Sequence, residues 1–424
     1  MQRSLLSLVG GMMSDPALIH KDPKDYWLSS RMAVVRPSPT AAVSDEARRL
    51  RADGRVIINL GEGELDFDTP SHVKDAGISA IQSGNTKYTA VAGTEAVKEA
   101  VARKFERENG ITYGPDEIVV SAGAKQAIFN AFLATLDDGD EVIVPAPYWV
   151  SYPDMVALAG GTSIIANCGL ETAFKLTPRA LEAHITNRTK WVIINSPSNP
   201  TGALYSEDEL AGLAAVLRRH PKAMVMSDDI YEQIVFDGMF ATMASVAPDL
   251  KNRVLTVNGV SKCFSMTGWR VGYAGGPSWL ISALTTLQSQ STSNASSISQ
   301  EATVAALDGS LSFLNDWEDK LLARRNVVLK AIDETDGVLS ADPPAAAFYV
   351  FASCAGAIGL ITNDGDIIQN DLDMAAYLLK AAGVATIAGT AFGKSEYLRI
   401  SYAVDDADLE NACASIVAAC KRLS

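Results

Sequence analysis

The chain has 424 residues, 48% of them hydrophobic and 20% charged, with a formal net charge of −14. That length suits a large core shared between two domains, and the composition excludes a disordered chain. The acidity argues against a nucleic-acid partner, which would need a basic surface, but it leaves room for a local anion pocket.

The cysteines at 168, 263, 354, 413 and 420 are odd in number and form no CxxC pair. Reduced thiols in a cytoplasmic setting are expected, with Cys263 as a small packed residue. No apolar run reaches the roughly 20 residues of a membrane span, so no membrane partner is expected. SLLSLVGGMM, near the N-terminus, has no convincing cleavage site and reads as a loose or docking tail.

Residues 1–35 lack periodicity, although Tyr26, Trp27 and Leu28 offer apolar surface for docking. RPSPTAAV carries two prolines and is expected to be extended. Ser44–Asp53 suits a helix, and VIINLGEGELDFDTP reads as a strand entering a glycine-rich turn. Short β-branched runs then follow at 118–121, 141–144, 191–195, 223–227, 254–257 and 271–274. Between them lie amphipathic segments. In KQAIFNAFLATL, Ile128, Phe129, Phe132, Leu133 and Leu136 share a helical face. SEDELAGLAAVLRRH has Ser206 and acids at its start and bases at its end, as a capped helix does. Strands alternating with helices predict an α/β fold with a mainly parallel sheet covered on both faces. A long helix is predicted over 310–335, followed by AAFYVFAS, MAAYLLKAAG, YLRISYAV and a final helix near 406–421.

Ligands of open parallel sheets bind beyond the carboxyl ends of the strands, and the polar outliers collect there. Gly123, Ala124 and Lys125 follow the first of these runs as a turn into a helix, suited to an anion. Tyr148 and Trp149 follow the second, as candidates to stack on a planar ring. Asn199 lies in the rigid turn SPSNPTG, and Asp228 and Tyr231 follow the next run. Ser261, Lys262 and Arg270 come last. Each has a plainer reading alone: a tight turn, a packed aromatic, a helix cap, a surface lysine. As a set they match the needs of pyridoxal phosphate, namely a lysine for its aldehyde, a carboxylate for its ring nitrogen, donors for its phenolic oxygen and a phosphate cup.

SKCFSMTGWRVGY, NSPSNPTG, SDDIYE, LGEGELDFDTP, KYTAVAGTEAVKEAV and YLRISYA together resemble the class I aminotransferases of pyridoxal-phosphate fold-type I, over about residues 31–422. The likeness is to the bacterial aspartate/prephenate subgroup. It implies a large cofactor domain (61–319) around a seven-stranded, mainly parallel sheet, a smaller α+β domain (36–60 with 320–424) and an N-terminal arm (1–35). By resemblance, Lys262 carries the cofactor and moves the substrate proton, and Asp228 pairs with the ring nitrogen. Asn199 and Tyr231 hold the phenolic oxygen, and Trp149 stacks on the ring. Gly123, Ala124, Lys125, Ser261 and Arg270 surround the phosphate, joined by Tyr88 from a neighbouring subunit, which implies a homodimer with shared sites. Arg399 takes the substrate α-carboxylate, and Gly63 lines the substrate side.

Lys125 matches the subgroup's reader of the distal carboxylate, and Thr40 a position tied to prephenate. The resemblance therefore implies amino transfer from aspartate or glutamate to a 2-oxo acid, with prephenate or aromatic transamination, or a specialised reaction of the same cofactor, as alternatives. A cofactor-binding regulator without turnover is opposed by the net acidity. Three residues depart from the family pattern: Leu65 for proline, Ala346 for glycine and Asp229 for glutamate. The first two are expected to alter the substrate pocket.

Overall fold

The computed structural model describes residues 27–35 and 37–424, which fall in two compact units, 1–36 and 37–424. Tyr26 and SLLSLVGGMM lie outside the described residues. In the first unit Trp27 and Leu28 are exposed, and the Ser29 hydroxyl caps a 3-10 turn, Ser30–Ala33.

The second unit contains β1 (Ile58–Asn59), β2 (Ile118–Ser121), β3 (Glu141–Ala146), β4 (Thr162–Asn167), β5 (Thr189–Asn195), β6 (Met224–Asp228), β7 (Val254–Gly259), β8 (Gly272–Gly275), β9 (Tyr349–Ser353), β10 (Val384–Ala385), β11 (Ile387–Ala388) and β12 (Tyr397–Ser401). Seven of them form one sheet in the order β2-β8-β7-β6-β5-β3-β4. Only β8 runs against the rest. Side chains alternate across this sheet into two separate cores. Val120, Ile143, Val192, Ile194 and Val225 enter one core, and Val119, Val142, Ile193, Met226 and Val257 enter the other. Burial on both faces is why these strands read as unbroken apolar runs.

A third core surrounds the antiparallel sheet β11-β12-β9, against the helices Phe313–Asp333 and Asp406–Cys420. Arg324 ties the first of these helices to the glycine-rich turn after β1. Its guanidinium donates to both Asp66 oxygens (2.7 and 3.0 Å) and to Asp406 Oδ1 (2.6 Å). All five cysteines are buried free thiols, and burial pushes the Cys263 thiol upward. Among the described residues no helix is long and apolar enough to cross a membrane.

Two expectations need correction. RPSPTAAV is not extended throughout, because a helix begins at Pro39 and runs to Ala52. Proline is tolerated at the first helical position, where its missing N–H would have had no helical partner. The strand β4 escaped the sequence reading. It lies at the sheet edge, and Thr162, Ser163 and Asn167 leave it largely uncovered, so its apolar signal is short.

Replacing Arg324 with alanine should lower stability by about 1–2 kcal/mol, less than a fully buried pair would, because Asp406 is mostly exposed. A matched fall in thermal midpoint checks this; an unchanged midpoint removes the tie.

Candidate active site

Because β2, β3, β5, β6 and β7 point the same way, their carboxyl ends share one edge of the sheet. The reversed β8 starts at that edge, so Arg270, two residues before it, arrives there as well. The result is an open cleft of about 640 Å³.

Lys262 lies three residues beyond β7, and its ammonium donates to the Gly63 carbonyl. Burial lowers its pKa to about 8; the charges of Arg399 and Arg270 add to this, and Glu64 and Asp228 oppose it. Asp228 ends β6. Its Oδ2 accepts from the Tyr152 hydroxyl at 2.5 Å, while Oδ1 is buried without a partner among the described residues. Burial raises this carboxyl to about 6 although Tyr152 favours its charged form. Asn195 Nδ2 donates to the Asp228 carbonyl (2.9 Å), and its Oδ1 accepts from the Asn199 amide (2.9 Å). Two neighbouring strand ends are thereby locked together.

Asn199 joins two further groups. Its Nδ2 donates to the Tyr231 hydroxyl (3.4 Å), and its Oδ1 accepts from Arg399 Nη1 (2.9 Å). The Tyr231 and Tyr349 hydroxyls are 2.8 Å apart. Arg399, on β12, is 1% exposed; Nη2 donates to the Gly61 carbonyl, and Nε has no partner among the described residues. A Cβ on Gly63 would stand 3.0 Å from the Tyr349 hydroxyl. The glycine leaves that space open.

At the other end of the cleft, the helix Ala124–Thr135 starts directly after Gly123. Gly123 has φ +87°, and a Cβ there would sit 2.4 Å from Arg270 Nη2. The glycine lets the guanidinium close over the turn. Arg270 itself donates to the Thr267 carbonyl at 2.7 Å. Ala124, Lys125 and Ser261 line the same end. Lys125 Nζ lies 4.8 Å from the Trp149 ring centroid and donates to Ser151 Oγ (3.2 Å). Burial and Arg270 lower its pKa. Thr40 lines the mouth, with its hydroxyl 2.9 Å from that of Ser38.

Four expected residues lie elsewhere. Tyr148 packs against Gly393 and lines a separate small cavity, so it does not share the cleft with Trp149. Leu65 and Ala346 are buried and absent from the cleft lining, so any effect on the substrate pocket is not by direct contact. Leu65 joins the third core, and the Ala346 amide donates to the Gly202 carbonyl (3.1 Å). Tyr88 is 91% exposed and contributes nothing to the cleft of its own chain.

The match to known proteins decides the family. Residues 55–416 fit the family "Aminotransferase class I and II". The chain belongs to this aminotransferase family. It is 53% identical over 399 residues to the aspartate/prephenate aminotransferase of Cereibacter sphaeroides, covering 94% of this chain and all of that one. It is 50% identical to an aspartate aminotransferase of Rhizobium meliloti, over 93% of this chain and 97% of the relative. The crystal structure of the Rhizobium meliloti aspartate aminotransferase superposes with a TM-score of 0.91, at 49% identity, covering 94% and 99% of the two chains. That of the Thermus thermophilus enzyme with maleate gives 0.87 at 40% identity, over 92% and 99%.

Aminotransferases of this family work with pyridoxal phosphate, and this cleft fits it. The orphaned Asp228 Oδ1 can accept from the ring N–H, and the Tyr231 hydroxyl and Asn199 can hold the phenolic oxygen. Gly123, Ala124, Ser261 and Arg270 form an end suited to its phosphate, and Lys262 has an amine readily made neutral. Tyr152, Asn195 and Tyr349 were missed in the sequence. Tyr152 lies 76 positions from the carboxylate it serves, so no local pattern marks it.

A lysine meets an aldehyde as its neutral amine, so covalent loading of the cofactor-free chain at Lys262 would need that form. The loading rate should rise with pH to a midpoint near 8, where the lowered pKa lies, and then level off. Absorbance stopped-flow against pH tests this; a midpoint near 10 contradicts the lowered value.

Proposed function

We propose that the enzyme transfers the amino group of aspartate or glutamate to a 2-oxo acid in two half-reactions at one site. The observation that carries this is Arg399, a buried guanidinium with an unpartnered Nε in the same cleft as Lys262 and Lys125. A fully buried cation costs free energy unless an anion meets it, and the substrate α-carboxylate suits its planar fork. Lys125 supplies a second cation in the cleft for the distal carboxylate of a dicarboxylic substrate.

Bound pyridoxal phosphate withdraws electron density from the substrate Cα, which makes the Cα–H acidic. The chain's residues do the rest. Lys262 Nζ would be the base that takes the proton from the substrate Cα and holds it for return. Asp228 would hold a negative charge toward the ring nitrogen and so favour its protonated form. Asn199 and Tyr231 fix the phenolic oxygen, and Arg399 orients the substrate.

Prephenate, or an aromatic partner, is a second reading. It is supported by Thr40 at the cleft mouth and by the relatives' names. We also infer a homodimer in which Tyr88 reaches the partner's phosphate site. The exposed Tyr88, with Ile78 and Ile81 exposed on the preceding helix Ser71–Gln82, supports a covered face. The five buried free thiols support a reducing compartment, the cytoplasm.

Exchanging Lys125 for serine should raise KM for aspartate about tenfold or more, since a hydrogen bond to a charged group contributes about 1.5–3 kcal/mol. KM for phenylalanine should change far less. Equal effects on both would remove Lys125 from distal-carboxylate recognition.

A further inference from the structure

Behind the turn that carries Asp228 and Tyr231 lies a charged cluster that no cleft chemistry uses. Lys104, on the helix Glu95–Asn109, is 2% exposed. Its ammonium pairs with Glu232 Oε1 and donates to Asn109 Oδ1 at 2.7 Å. Asn109 Nδ2 closes the ring by donating to Glu232 Oε2 at 2.8 Å. Glu108 lies 3.7 Å from Lys104 and accepts from Gln233 Nε2 at 2.8 Å. Asp229 is held in the same manner, by the hydroxyls of Ser227 (2.8 Å) and Thr242 (2.6 Å), and burial raises its carboxyl to about 8. Two backbone bonds complete the fixing: the Asp229 amide donates to the Val257 carbonyl, and the Glu232 amide to that of Asp229.

The turn therefore has two sides. Asp228 and Tyr231 line the cleft, while Asp229, Glu232 and Gln233 hydrogen-bond to groups away from it. A buried ion pair is a weak source of stability, because desolvating both charges offsets most of their attraction, and apolar residues of similar size often serve as well. What the ring of Lys104, Glu232 and Asn109 adds is direction. Both oxygens of Glu232 are engaged by named partners, so the residue next to Tyr231 has one orientation.

We propose that Lys104, Glu232 and Asn109 are positioning residues, which clamp the 228–231 turn to the helix Glu95–Asn109 and so aim the Asp228 carboxylate and the Tyr231 hydroxyl at pyridoxal phosphate. This rests on the assignment of that cofactor to the cleft. It does not depend on which amino acid is the substrate.

The test uses the full chain and two variants, Lys104→Met and the double variant Lys104→Met with Glu232→Leu. The single variant leaves a buried carboxylate unpaired, so it should lose thermal stability as well as function. The double variant removes both charges together and should melt near or above the parent. Its apparent Kd for pyridoxal phosphate, from fluorescence quenching of the cofactor-free chain, should nevertheless rise by about tenfold or more, and kcat should fall by a similar factor. KM for the amino acid should stay within about threefold, because Arg399 and Lys125 are untouched. Parental cofactor affinity and kcat in a well-folded double variant would overturn the proposal. Failure of both variants to fold would overturn it too, since the cluster would then be a determinant of folding. If the parent turns over no aspartate, the substrate reading fails and the cofactor affinities still decide this one.

Discussion

One oxygen of the buried Asp228 carboxylate accepts from the Tyr152 hydroxyl, and the other accepts from no described residue. A carboxylate in that state is costly, and burial raises its pKa to about 6. A cationic N–H placed against Oδ1 would supply the missing hydrogen bond and add to the partial compensation of charge that Lys262 provides. The surrounding structure fixes the carboxylate: Tyr152 engages only Oδ2, Asn195 holds the strand end, and Glu232 in the turn behind pairs with Lys104.

The same imbalance recurs with opposite sign across the cleft. A chain of net charge −14 brings Lys125, Lys262, Arg270 and Arg399 to one opening. Burial, together with neighbouring positive charge, lowers the pKa of Lys125 and of Lys262. Glu62, Glu64 and Asp228 line the same cleft and offset part of this charge, and a phosphate and the carboxylates of an amino acid are the further anions of a transamination. The arrangement also explains how one residue serves two steps. Burial, helped by the charges of Arg399 and Arg270, makes the Lys262 amine more easily neutral, which suits it both to hold an aldehyde and to accept a proton.

Much of this was legible in the sequence, for an identifiable reason. Strands buried on both faces appear as continuous apolar runs, so the residues that break each run mark the strand ends where ligands bind. Asn199, Asp228, Lys262 and Arg270 were found in that way. The edge strand β4 was not, because half-exposed residues dilute its pattern. Pro39 was taken for a breaker although the first position of a helix accepts it. Tyr152 and Tyr349 meet their partners only after folding, and Lys104 and Glu232 are paired across 128 positions. Leu65 and Ala346 stand out in sequence as departures from the family pattern, yet both are spent on packing outside the cleft.

Lys262, in the cleft built around Asp228, is the proposed attachment point of the cofactor. Borohydride reduction of the enzyme loaded with pyridoxal phosphate, followed by peptide mass mapping, tests it directly. One reduced pyridoxyl group per chain is expected, located at Lys262 and absent from a Lys262→Ala variant. A label carried mainly by Lys125 or another lysine, or an equal label in the variant, would contradict it.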